Sequence, residues 1–136
     1  MARQFARWFG IIYILVGIVG FIPGINVMSM PEMGVTAGTS YGHLLGLFPV
    51  NAVHNVVHLA IGIWGVTSAG SFATARTYAR SIAVLYGLLA VAGFFPGLNT
   101  LFGLAPLFGY DIWLHALSAI VAAYVGWGTP AETAAA

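Results

Sequence analysis

Gly20-Phe21-Ile22-Pro23-Gly24-Ile25-Asn26 and Gly93-Phe94-Phe95-Pro96-Gly97-Leu98-Asn99 are two versions of one phrase, 73 residues apart. Each closes a long apolar run with Pro-Gly. Proline cannot donate into a helix ladder, so each phrase marks where a helix stops or kinks. The match extends backwards. Arg3, Ala6, Arg7 and Tyr13 fall on Arg76, Ala79, Arg80 and Tyr86, and residues 3–26 share ten identities in 24 positions with 76–99. A second block, 44–65 against 101–122, matches at offset 57 with six identities in 22 positions, including Leu44, Gly46, Leu47, Pro49 and His58 on Leu101, Gly103, Leu104, Pro106 and His115. The offset falls by 16 between the blocks, so the first copy carries about 16 extra residues, within 27–43.

Composition decides what the repeated unit is. Hydrophobic residues make up 60% of the 136 positions and charged residues 5%, against about 25% charged in a soluble chain. Three acids and four arginines cannot cover a water-facing surface. Four apolar stretches have the length of a membrane helix, about 20 residues: Trp8 to Ile25, Asn51 to Ser68, Arg80 to Leu98 and Phe108 to Trp127. They are too continuous for membrane strands, which alternate over about ten residues. The expected fold is an all-α membrane protein of four transmembrane helices, one domain over 1–136. It consists of two tandem helical hairpins, 3–70 and 76–128. Each hairpin holds an even number of spans, so the copies share one orientation, related by a pseudo-twofold axis along the membrane normal.

The arginines orient it. Arg3 and Arg7 precede the first span, Arg76 and Arg80 lie between the second and third, and the other two connections hold no Lys or Arg. The positive-inside rule places both termini and the middle loop in the cytoplasm. The loops 27–50 and 100–107 then face outward. The first span is not followed by a small-x-small cleavage site, so it is read as a retained helix rather than a signal peptide.

The stretch Phe48-Pro49-Val50-Asn51-Ala52-Val53-His54-Asn55-Val56-Val57-His58-Leu59-Ala60-Ile61-Gly62, with the spans around it, resembles a family of small four-helix bacterial membrane proteins known as domain of unknown function 4383. The resemblance implies four helices in a bacterial inner membrane and no activity.

Ionisable residues inside a membrane are costly and mark functional candidates. His54 and His58 are four apart and share a helix face, as do Asp111 and His115. Offset 57 carries His54 onto Asp111 and His58 onto His115. The expected axis brings the pairs together, His58 and His115 facing the interior and His54 and Asp111 one turn outward. Three histidines and a carboxylate suit zinc or a similar metal ion. The pair His58 and His115 suits axial ligation of haem, and one histidine suits a chlorophyll-type pigment. The plainer reading makes Asn51 and Asp111 helix N-caps and the cluster a hydrogen-bonded register device. A proton path lacks a polar track through the inner halves of the spans.

Nothing else carries chemistry. Cysteine is absent, no nucleophile has a base, no glycine loop is placed for phosphate, and a net charge of +1 gives no basic face for nucleic acid. Gly10, Gly17 and Gly20 read as close-packing positions. Ser118 reads as a packing residue and His43, beside Tyr41, as interfacial. Trp8, Tyr13, Trp64, Tyr78, Tyr110, Trp113, Tyr124 and Trp127 read as an aromatic belt. Two functions follow. One is a non-catalytic structural or accessory subunit that packs on itself or on other membrane subunits. The alternative is a cofactor-binding protein built on His54, His58, Asp111 and His115.

Overall fold

A computed structural model of the chain describes residues 1–23, 25–27 and 42–130. Most of the loop insertion at 27–43, with Tyr41, lies outside them. Four helices dominate: α1 (Ala2–Val19), α2 (Ala52–Ser68), α3 (Phe72–Ala92) and α4 (Tyr110–Ala123). A π-helical turn, Tyr124–Gly128, extends α4, and a 3-10 turn, Leu98–Thr100, follows α3. Between α1 and α2 sit three short strands, β1 (Asn26–Val27), β2 (Gly42–Leu44) and β3 (Phe48–Val50), paired antiparallel in that order. Leu45 and Gly46 take positive φ and close a tight hairpin, and Phe48-Pro49-Val50 runs out extended from it.

Helix starts follow their caps. Asn51 caps α2, its side chain accepting from the His54 backbone N–H at 2.9 Å, and Ser71 caps α3 by accepting from Thr74 at 3.2 Å. Asp111 is not an N-cap. Gly109 holds that position with φ 66, and Asp111 lies in the first turn of α4, where a carboxylate meets the positive end of the helix dipole.

The first and third helices lie six to eight residues earlier than composition suggested. Arg3, Arg7, Arg76 and Arg80 are inside helices, not in loops. Arginine is a good helix former, and the apolar count that delimits a span takes no notice of that. Both helices then stop at Gly20 and Gly93, three residues before Pro23 and Pro96. The stops are alike. The N–H of Gly20 donates to Val16 at 2.9 Å and that of Gly93 to Leu89 at 3.0 Å. Phe21 donates to Ile18 and Phe94 to Val91, at 3.0 and 3.1 Å.

α1 packs chiefly on α2, and α3 on α4, with α1 also against α3. Glycine makes the first pairing close. A Cβ on Gly10 would lie 2.6 Å from the Val66 nitrogen and 2.7 Å from the Gly62 oxygen. The core is small and aromatic: Ala2, Ala6, Ala75, Ala79 and Ala122 with Tyr13, Tyr78, Tyr86 and Ile82. Tyr13 and Tyr78 therefore leave the expected aromatic belt. The other six members, Trp8, Trp64, Tyr110, Trp113, Tyr124 and Trp127, are exposed. Large aliphatic side chains point outward, Leu88 at 64% and Ile120 at 67% exposure. Among the described residues only α1 is both long and apolar enough to cross a membrane by length and composition alone.

Candidate metal centre

Side chains from the first turns of α2 and α4 approach each other. Asn51, the cap of α2, ties that helix start to the segment before α4, its side-chain Nδ2 donating to the Leu104 carbonyl at 2.8 Å. One turn along, His54 on α2 faces Asp111 and His115 on α4. Asp111 Oδ2 lies 3.4 Å from His115 Nδ1 and 3.9 Å from His54 Nε2. Each of the three offers one donor atom, and the donors all fall within 4.8 Å of one another. All three residues are buried, Asp111 to 1% and His115 to 2% exposure.

The donors are close but not satisfied. Neither Asp111 Oδ2 nor His115 Nδ1 has an aligned hydrogen-bond partner among the described residues. A buried carboxylate oxygen left so costs several kcal/mol unless something compensates it. A tetrahedral ion with bonds of about 2.0–2.1 Å to nitrogen and oxygen holds its ligands roughly 3.4 Å apart. The Asp111–His115 pair already has that separation, and His54 Nε2 stands 3.9 Å from Asp111 Oδ2. The donor chemistry, two imidazoles and one carboxylate, suits a divalent transition metal.

His58, the fourth residue expected in the cluster, is not part of this donor group. Its ring lies against that of His54, centroids 4.4 Å apart at 56°, and meets Tyr13 edge-on at 5.1 Å. A cavity of about 40 Å3 borders the centre, lined by His54, His58, His115, Tyr86 and apolar neighbours that include Ile61 and Leu107. Such a space holds one to a few waters at roughly 10–15 Å3 each. It is far too small for a porphyrin between His58 and His115.

Other sequence candidates fall into structural roles. Ser118 is buried, with its Oγ 3.5 Å from the Tyr13 hydroxyl. His43 is half-buried in β2. Gly17 packs on Asn55 and Leu59, and Gly20 on the Asn55 amide. Sequence reasoning missed the role of Tyr86, which spacing alone flagged as the repeat partner of Tyr13. It stands edge-on to His115, centroids 4.9 Å apart, and walls the cavity.

A family model described as Domain of unknown function (DUF4383) matches residues 3–128. No curated protein and no solved structure matches the chain.

Proposed function

For this chain, which belongs to the DUF4383 family, we propose a membrane-embedded metal-binding function. Four helices span the bilayer, and His54, Asp111 and His115 hold one divalent transition-metal ion near the outer face. The observation that carries the reading is the buried Asp111 Oδ2, without an aligned hydrogen-bond partner and with two imidazole nitrogens at 3.4 and 3.9 Å. An ion there compensates the charge and occupies the orphaned lone pairs in one step. Three protein ligands leave a fourth position for water or a small ligand, and the adjoining cavity of about 40 Å3 is the space for it. Its size favours a bare ion over haem or a chlorophyll-type pigment.

Support for the membrane comes from the inside-out distribution of side chains. Lipid gives packed helices no hydrophobic drive to associate, so small residues gather at the contacts and aliphatic ones face the tails. Gly10, Gly62 and Gly65 at the α1–α2 contact, against Leu88, Leu117 and Ile120 outside, fit that pattern. α2 and α4 are short for spans. The π turn lengthens α4, and buried β3 and 105–107 carry the chain on past the other ends of both. Every described arginine lies at the opposite end from the metal centre, and the positive-inside rule favours a cytoplasmic position for that end and both termini. A duplicated hairpin accounts for the recurring geometry. Arg3 Nε donates to Ala69 O at 3.1 Å and Arg76 Nε to Gly126 O at 2.9 Å, a pair related by the same offsets, 73 and 57. The exposed aliphatic faces also suit a role as accessory subunit of a larger membrane assembly, which the metal centre does not exclude.

The test is metal content. Protein purified in mild detergent and loaded with zinc should retain about one ion per chain after desalting, and Asp111→Asn should retain none. Wild-type protein that emerges metal-free under the same loading overturns the reading.

A further inference from the structure

We propose that the cytoplasmic end of α3 carries a binding site for an anionic glycerophospholipid, its phosphate on Arg76 and Arg80 and one acyl chain along Val84, Leu85 and Leu88. The proposal rests on the membrane reading above and is independent of the metal centre.

The π turn sets up the site. A π turn displaces one carbonyl from the regular ladder, and Gly126 O here accepts from two arginines. Arg76 Nε donates to it at 2.9 Å and Arg80 Nε at 2.8 Å. Two guanidiniums are thus clamped to one oxygen and held side by side. Glycine is needed there, since a Cβ on Gly126 would come within 2.8 Å of the Arg80 side chain. The Trp127 ring fixes Arg80 from the other side, its centroid 5.5 Å from the guanidinium carbon.

Charge is left over. Among the described residues Asp111 is the sole carboxylate, and it lies at the far end of the bundle. Apart from Arg76 reaching Thr129 O at 3.5 Å, the terminal guanidinium nitrogens of this pair have no described protein acceptor. A phosphate offers two oxygens in the fork geometry that guanidinium prefers. Like charges so close are best neutralised by one shared dianionic or monoanionic group, and basic clusters at the cytoplasmic end of spans recruit anionic headgroups.

The apolar half of the ligand follows from the same surface. Arg80, Ser81 and Trp127 border a shallow, open groove on the helix surface lined by Val84, Leu85 and Leu88. From Arg80 to Leu88 the helix rises roughly 12 Å, along which an acyl chain continues the line from the headgroup. A free phosphate would use the arginines and ignore this groove. A lipid uses both. Repeat one lacks the arrangement: offset 57 puts Gly70 where Trp127 stands, and Arg7 is exposed.

Phosphatidylglycerol titrated into the purified protein in phosphatidylcholine-doped detergent, and counted by native mass spectrometry, tests the site. Wild type should retain phosphatidylglycerol in preference to phosphatidylcholine. R76Q/R80Q should weaken that retention about tenfold or more, the loss of charge-assisted bonds, and L85W should weaken it by filling the groove with every arginine in place. R3Q/R7Q removes the same charge from the same end and should change retention less than about threefold. Equal losses in the two double variants, no effect of L85W, or equal displacement by soluble glycerol phosphate would overturn the lipid site. A loss of preference in protein that still sediments with membranes refutes this proposal alone, whereas protein found in the soluble fraction refutes the membrane reading.

Discussion

The ring of Tyr13 stands edge-on to that of His58, centroids 5.1 Å apart at 85°. Tyr86 and His115 repeat the contact at 4.9 Å and 75°, and the repeat offsets carry the first pair onto the second. The two tyrosines themselves meet at 5.6 Å. One turn nearer the helix start the copies diverge, His54 in the first and Asp111 in the second. Two identical copies would bring together four histidines or two acids. The divergence supplies one carboxylate between imidazoles.

Unequal roles follow for the paired histidines. His115 is one of the three residues whose donor atoms cluster, and His58 is not. His115→Leu should abolish zinc retention, while His58→Leu should keep about one ion per chain and alter only what occupies the cavity. Metal analysis of both variants decides it. Equal loss in both would mean that His58 swings in as a ligand.

The centre should also respond to acid. Each ligand binds the metal through a lone pair that a proton takes up, so protons compete with the ion. Affinity should fall as the pH is lowered, with protons released on binding. Zinc titrations in two buffers of different ionisation enthalpy read both quantities. An affinity that does not fall with acid would argue against binding through these three side chains.

Close approach of α1 and α2 predicts a sharp contrast between glycines. At Gly10 a methyl meets backbone atoms of α2 at 2.6–2.7 Å, which cannot yield cheaply. At Gly70 the nearest atom is 3.6 Å away. Gly10→Ala should cost about 1–3 kcal/mol from overpacking, and Gly70→Ala should be near neutral. Thermal unfolding in detergent compares them. Equal melting temperatures would mean that the two helices separate more readily than their packing implies.

Four helices, the cap at Asn51 and the convergence of His54 with Asp111 and His115 were legible in spacing and repeat offsets. Helix boundaries were not. An apolar count begins a span after the arginines, whereas Ala2–Arg7 and Phe72–Arg80 are helical because their residues favour helix and Ser71 caps the second stretch. The strands were hidden because β1 pairs with β2 across an insertion of no clear pattern. Tyr13 and Tyr78 carry polar tips, which placed them in the belt on composition. In the fold Tyr78 is fully buried and its hydroxyl donates to the Ile61 carbonyl at 3.2 Å, a partner that only tertiary structure reveals.

Orientation gives the last prediction. The turn between α2 and α3 is only Ala69-Gly70-Ser71, and it is held by local bonds. Thr74 Oγ1 donates to the Ser68 carbonyl at 2.7 Å, and Arg3 reaches across from α1 to Ala69 O at 3.1 Å. The amino terminus and this turn therefore share one end of the bundle, and Thr129, reached by Arg76, joins them there. Whichever side of the membrane holds one must hold all three. Reporter fusions at the amino terminus, after Gly70 and after residue 130 should agree with each other, and by the arginine rule all should read cytoplasm. A fusion near Thr36 should read outside. Agreement of the three with the opposite sign would reverse the arginine rule for this chain and leave the bundle intact. Disagreement among them would break the four-span arrangement itself, because helices that meet at one end cannot deliver their ends to opposite sides.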